Sequence, residues 1–237
     1  MLKKLTGKAL IHTILIITSL LSIFPFIWLT STSLKGLGED IFAYPPHLIP
    51  SDFTWANYVD VWHRVNFMGY FWNSVIVAAL TVILNLVLSS LAAYPLARMS
   101  FKGKKFFFFA ILATIMIPFQ AIMLPVYIIT LKLHLIDSVN NVMGYIGLVM
   151  PFAVSAFGIF LMRQAFIKVP KEVEEAAIVD GCNVFQMFTR VVIPMVKPTL
   201  AVLAVFTFIG SWGEFLWPSI MLTKDAMYTL PVGINCL

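Results

Sequence analysis

Charge is what this sequence has least of. Asp, Glu, Lys and Arg make up 11% of its 237 residues while 60% are hydrophobic, whereas a soluble domain carries about 25% charged residues. A water-soluble globule is therefore excluded, and most of the chain must dissolve in lipid. Cysteine is almost absent: Cys182 and Cys236 stand far apart with no CxxC spacing and no neighbouring His, which argues against a disulfide framework or a zinc site. The four histidines, His12, His47, His63 and His134, are scattered without an HExxH pattern or an i,i+4 pair, so no metal site is expected. GxxxxGK[ST] is missing, so no nucleotide site or other cofactor is expected on this chain. Paired acids, His clusters and Ser/Lys sets are missing from the apolar stretches, which disfavours an intramembrane enzyme. The net charge of +5 does not indicate nucleic-acid binding, because the basic residues lie between apolar runs rather than on one element with interleaved aromatics.

What is present is a series of apolar runs. A hydrocarbon core ~30 Å thick needs roughly 20 apolar helical residues to cross it. Five segments qualify, at about 9–31, 71–97, 106–131, 141–164 and 198–220. The expected fold is all-α, a polytopic membrane helix bundle forming one transmembrane domain over residues 1–237. The first run follows Lys3, Lys4 and Lys8 but has no small-x-small cleavage site, so it reads as an uncleaved anchor. With the N-terminus in the cytoplasm, twelve of the sixteen basic residues fall inside, leaving Lys35, Arg64, Lys132 and Lys224 outside. The positive-inside rule selects that orientation, in a bacterial inner membrane. The segment 34–70 is rich in Pro and aromatics, and reads as interfacial turns, including Tyr44-Pro45-Pro46, with a short helix near Trp55–Arg64. Pro118 and Pro125 each remove a backbone donor from the third run, so a bend is expected there.

The segment between the fourth and fifth runs, 165–197, is the longest inside loop and has helix punctuation of its own. Pro170 suits a helix start, and Glu172, Glu174 and Glu175 favour the positive end of a helix over Lys171 to Val179. Gly181 supplies the stop. Asn183 can cap a second helix from Val184 to about Val192, before Pro194 and Pro198 close it. Ala176 and Ala177 give this element a close-approach surface, and the adjacent acids can pair with a partner's cations. Taken alone, the acids also fit a solvated helix face favoured by the dipole.

Glu175-Ala176-Ala177, followed by Gly181 and then Val191, Val192, Ile193 and Pro194, resembles the EAA loop of ABC importer permeases, with Val191 and Ile193 in place of the usual Ile and Leu. Over nearly the whole chain the sequence is similar to carbohydrate permeases of the maltose-transporter type. The likeness is carried by Phe157 to Gln164, by Leu135-Ile136-Asp137-Ser138 and by Ser211 to Pro218, in which Gly213 replaces a common Asn. The resemblance implies a permease that moves a sugar or similar solute inward by alternating access. Glu175, Ala176, Ala177, Asp180, Gly181 and Pro194 would then couple it to ABC ATPase subunits that bind the ATP. It also implies a second homologous permease and an extracytoplasmic solute-binding protein. Other solutes, such as a glycerol phosphate ester or an osmolyte, stay open. The family's sixth span is not visible before Leu237, so a truncated inactive fragment is a further reading.

Three polar residues are candidates for the solute pathway. Glu214 lies near the far end of the fifth run, as a pathway acid or a wetted interfacial one, since a carboxylate deep in lipid is costly. Asn85 in the second run could face solute or bond a neighbouring helix. Gln120 could contact solute or satisfy backbone freed by Pro118. Gly144, Gly147, Ser155 and Gly158, with Ser89, Ser90, Ala92 and Ala93, suit close helix packing.

Overall fold

The structure is a computed structural model that describes residues 2–36, 38–41, 43–44, 47–136 and 141–236; Pro45, Pro46, Asp137 and Ser138 lie outside them. The described residues are helical or irregular, with one isolated bridge between Lys35 and Phe53. Two compact units are present, Met1–Val65 and Asn66–Cys236.

In the first unit, α1 (Leu2–Ser33) exposes its large apolar side chains from Leu10 to Leu29, a surface suited to hydrocarbon rather than to water. The segment after it folds back. Lys35, only 2% exposed, lies 3.7 Å from Glu39 and over the Trp28 ring. Asn57 of α2 (Ala56–Arg64) donates to the carbonyls of Ser33 and Lys35 at 3.0 and 2.8 Å.

The second unit is organised on α3 (Phe67–Arg98). Its buried face carries Ser74, Ala78, Thr81, Asn85, Ser89, Ser90 and Ala93, small or polar groups that allow close backbone approach. α7 (Ala156–Lys168) packs along it so tightly that a Cβ added to Gly158 would lie 2.6 Å from Ser89 Oγ.

The remaining helices are interrupted. α4 (Lys104–Thr114) meets α5 (Phe119–Lys132) at 97°, Val142–Phe152 meets α7 at 59°, and α9 (Val184–Met195) meets α10 (Lys197–Trp212) at 79°. The second of these contains α6 (Asn141–Val149) and a 3₁₀ turn, Met150–Phe152. Pro118 is the N-cap of α5 and Pro198 lies in the first turn of α10, positions that start a helix but cannot continue the preceding one, and Pro151 lies in the 3₁₀ turn just before the break at 153–155. Pro125, by contrast, is accommodated inside α5 without a break. Leu10–Ser33 and Phe67–Arg98 are each long and apolar enough to cross a membrane, and up to five spans result if each bent pair is one.

α8 (Lys171–Val179) lies between α7 and α9. After α10 come α11 (Leu216–Met221) and α12 (Leu230–Ile234). The C-terminal segment is tied to the start of α3: Asn73 donates to the carbonyls of Ala226 and Tyr228, Tyr70 to Asp225, and the Leu230 N–H to Ser74.

Candidate functional site

Two places in the second unit combine polar groups with open space. The first is a cavity of about 630 Å³ beside the middle of α3. Three interruptions open on it: Thr114, Ile115, Ile117 and Phe119 from the α4–α5 break, Phe152, Val154 and Ser155 from the break before α7, and Ser211, Glu214 and Trp217 from the gap between α10 and α11. Irregular backbone at membrane depth is tolerated where it borders protein or a water-filled cavity.

Local hydrogen bonds explain how the breaks are held. The Ser155 hydroxyl accepts from Gly158 N–H at 3.0 Å and caps α7. Asn85, 2% exposed, donates to the Phe152 carbonyl at 3.1 Å, and its Oδ1 receives Ser89 Oγ at 3.3 Å. Glu214, one residue before the N-cap Phe215, accepts the Trp217 N–H at 3.1 Å in the first turn of α11. The Trp217 indole N–H donates to the Gly147 carbonyl at 3.2 Å, and its ring meets Phe119 edge-on at 5.6 Å, with Phe152 beyond at 4.9 Å from Phe119. Phe157 and Phe206 form a second aromatic pair in the lining. The wall thus combines aliphatic and aromatic side chains with hydroxyl and amide groups, and Glu214 is the one ionisable side chain among its described residues.

Of the three candidate pathway residues, Asn85 and Glu214 share this cavity, while Gln120 is exposed and outside its lining. Both cavity residues also carry a structural hydrogen bond, so lining and structural support coincide in the same side chains.

The second place is the loop of α8 and α9. Helix α8 forms over Lys171–Val179, with Pro170 one position outside it in an extended conformation. It ends in a Schellman motif: Cys182 N–H bonds the Ala177 carbonyl at 2.9 Å and Gly181 N–H the Ile178 carbonyl at 3.0 Å. Gly181 takes φ +82°, which glycine adopts without a Cβ penalty. Asn183 and Gln186 then form a reciprocal capping box that starts α9. Within α9 the turns widen to a π-helix over Met187–Val192. Glu175, Ala176, Asp180, Gly181 and Pro194 are exposed, whereas Ala177 is buried. The tip also exposes Ile178, Val179, Val184 and Phe185, at 60, 86, 56 and 69%, an apolar patch rimmed by charge and suited to another protein.

The inner side of this loop is anchored. Met187, Phe188 and Val192 of α9 pack with Tyr94 of α3 and Phe166 of α7. Arg98 at the end of α3 forms an ion pair with Glu174 of α8 at 3.0 Å, the side chains being 9% and 15% exposed, and it donates a further hydrogen bond to the Val169 carbonyl. Arg163 donates to the Leu96 carbonyl at 2.9 Å and Lys104 to those of Ala97 and Met99 at 3.1 and 2.9 Å. Cations therefore collect on the carbonyl end of α3, where the helix dipole favours them. The Arg98–Glu174 pair and the aromatic wall were not singled out from sequence, because their members are distant in the chain.

Interrupted helices thus border a cavity of aliphatic, aromatic and polar lining, and a structured loop exposes an apolar tip. The sequence matches the family described as binding-protein-dependent transport system inner membrane component over residues 85–235, and the chain belongs to that family. It is 35% identical over 189 residues to the arabinooligosaccharides transport system permease protein AraQ of Halalkalibacterium halodurans, covering 79% of this chain and spanning 66% of that relative's length. It is 34% identical over 234 residues to the sn-glycerol-3-phosphate transport system permease protein UgpE of Yersinia enterocolitica, covering 95% and 80%. A chain of the crystal structure of a bacterial ABC transporter involved in the import of alginate superposes with TM-score 0.80 at 27% identity, over 97% of this chain and 78% of that one. The resemblance to carbohydrate-type ABC permeases read from the sequence therefore holds.

Proposed function

We propose that this chain is one of two permease subunits of an ABC importer in a bacterial inner membrane, and that it passes a sugar-like solute inward by alternating access. The observation that carries the proposal is the opening of three helix interruptions on one cavity whose aliphatic wall also presents aromatic faces and hydroxyl groups. Such interruptions at a binding site are how rocking transporters present polar backbone to a solute. The aromatic and hydroxyl lining suits a neutral saccharide; a phosphorylated solute would meet Glu214 and no cation among the described lining residues.

The chain does no chemistry of its own. ATP is hydrolysed by separate ABC ATPase subunits, a second homologous permease completes the pathway, and an extracytoplasmic binding protein delivers the solute. The N-terminus and the loop 165–197 lie in the cytoplasm. Glu175, Ala176, Gly181 and the apolar tip seat the loop on the ATPase, with Ala177, Asp180 and Pro194 shaping it.

The test is assembly and transport of the four-component system in proteoliposomes with Glu175→Lys or Val179→Asp. Both substitutions should reduce co-purification of the ATPase and abolish solute uptake. Wild-type values for both measurements would reject the proposal.

A further inference from the structure

We infer that Arg98 and Glu174 form a strut through which α8 drives α3 directly; this rests on the reading that α8 docks on the ATPase. The chain joins α8 covalently to α7 through Val169-Pro170, and α9 to α10 through Val196. α3 has no such neighbouring connection to the loop, yet it supplies Ser74, Thr81 and Asn85 to the cavity wall. Motion of the loop must reach that wall across non-covalent contacts.

α7, joined to the loop, is tied to α3 by the Arg163 bond to the Leu96 carbonyl, and two further kinds of contact join the loop itself to α3. The packing of Tyr94, Phe166 and Phe188 resists compression, because close-packed side chains cannot interpenetrate, but dispersion attraction between any two atoms is weak and non-directional. It transmits a push better than a pull. The ion pair acts through charge: Arg98 Nε and Glu174 Oε1 lie 3.0 Å apart without hydrogen-bond alignment, so their attraction resists separation. Arg98 holds Glu174 on α8 and the Val169 carbonyl at the α7–α8 link with the same guanidinium, so it straddles the hinge between those helices. The hydrogen bond to the Val169 carbonyl fixes the orientation of the planar guanidinium at this hinge, and charge attraction holds Glu174 beside it. Exposed ion pairs contribute little because water and salt screen them; this pair, at 9% and 15% exposure, largely escapes that screening. Arg98 is thus a positioning residue, ensuring that α3 follows α8 in both directions of the cycle.

The assembled transporter, with its ATPase, partner permease and binding protein, tests this with Glu174→Gln, Arg98→Gln and Arg98→Lys. The ratio of solute imported to ATP hydrolysed is expected to fall about tenfold in the two Gln variants, a size typical of coupling between sites. Co-purification of the ATPase and the solute concentration giving half-maximal uptake should stay at wild-type values. Arg98→Lys, which keeps the charge and loses the fork, should fall between. In a background with Cys182→Ser and Cys236→Ser, the double variant Arg98→Cys, Glu174→Cys should be uncoupled until a short bifunctional thiol reagent joins the two positions, and then regain import per ATP. An unchanged ratio in both Gln variants, or no recovery on cross-linking, overturns the strut. Loss of the ATPase in the Gln variants also overturns it, since the pair would then serve docking. Failure of the unsubstituted chain to hold the ATPase would instead overturn the docking reading beneath it.

Discussion

Replacing Glu214 by Gln removes the only ionisable group from the described cavity wall while leaving an oxygen to accept the Trp217 N–H. A volume of about 630 Å³ corresponds to a sphere of roughly 5 Å radius, so an anionic group on a bound solute would sit on the order of 7 Å from the carboxylate. At an effective dielectric constant of about 20 the repulsion is ~2 kcal/mol, or roughly 30-fold in affinity, and the open side of the cavity reduces this toward tenfold. The assay is competitive uptake of a neutral oligosaccharide and its uronic-acid counterpart by the reconstituted transporter. The ratio of acidic to neutral uptake should rise about tenfold in Glu214→Gln. Glu214→Ala, which also deletes the bond to the first turn of α11, should lower uptake of both solutes. An unchanged ratio in Glu214→Gln would refute the electrostatic reasoning and leave Glu214 as a support of α11 alone.

Gly158→Val should destabilise the protein in detergent by about 1–3 kcal/mol through overpacking, because its new Cβ would lie 2.6 Å from Ser89 Oγ and 2.8 Å from Ser155 Oγ. Gly210→Ala, in the body of α10 with nothing within 4 Å of its Cβ, should instead be neutral or stabilising by up to ~1 kcal/mol; thermal unfolding compares the two. Gly181→Ala meets open space but must hold φ +82°, so a cost of roughly 1–2 kcal/mol should appear as increased proteolysis at the loop tip. Asn85→Ala loses the bond to the Phe152 carbonyl and should cost ~1–3 kcal/mol of stability, read by the same unfolding assay.

Much of the fold was legible in the sequence because composition and helical propensity are local. Apolar runs marked the membrane helices, and the Pro170, Gly181 and Asn183 signals predicted α8 and the start of α9 closely. The breaks were less legible. Pro118 was recognised as a bend, but the interruptions at Ala153–Ser155 and Gly213–Phe215 depend on a cavity wall built from distant elements. Pro125 shows the converse, a nominal breaker carried within a continuous helix. At the site, Asn85 and Glu214 stood out because polar groups in apolar runs are costly to bury. Gln120 met the same criterion and lies outside the lining, since a linear pattern does not say which side of a bent helix faces inward. Glu174 read as an acid at the positive end of a helix, able to pair with a partner's cations, and Arg98 as one of the inside basic residues; only folding reveals that they meet each other.

The Schellman turn and capping box at the tip of the α8–α9 loop bear on association kinetics. The end of α8 and the start of α9 are closed by bonds internal to the loop, so the conformational entropy of this surface was already surrendered during folding. On the proposed docking of this loop on the ATPase, association requires orientation but no ordering step, and its rate is expected in the range of rigid-body protein encounters, about 10⁵–10⁷ M⁻¹s⁻¹, rather than in that of segments that must fold as they dock.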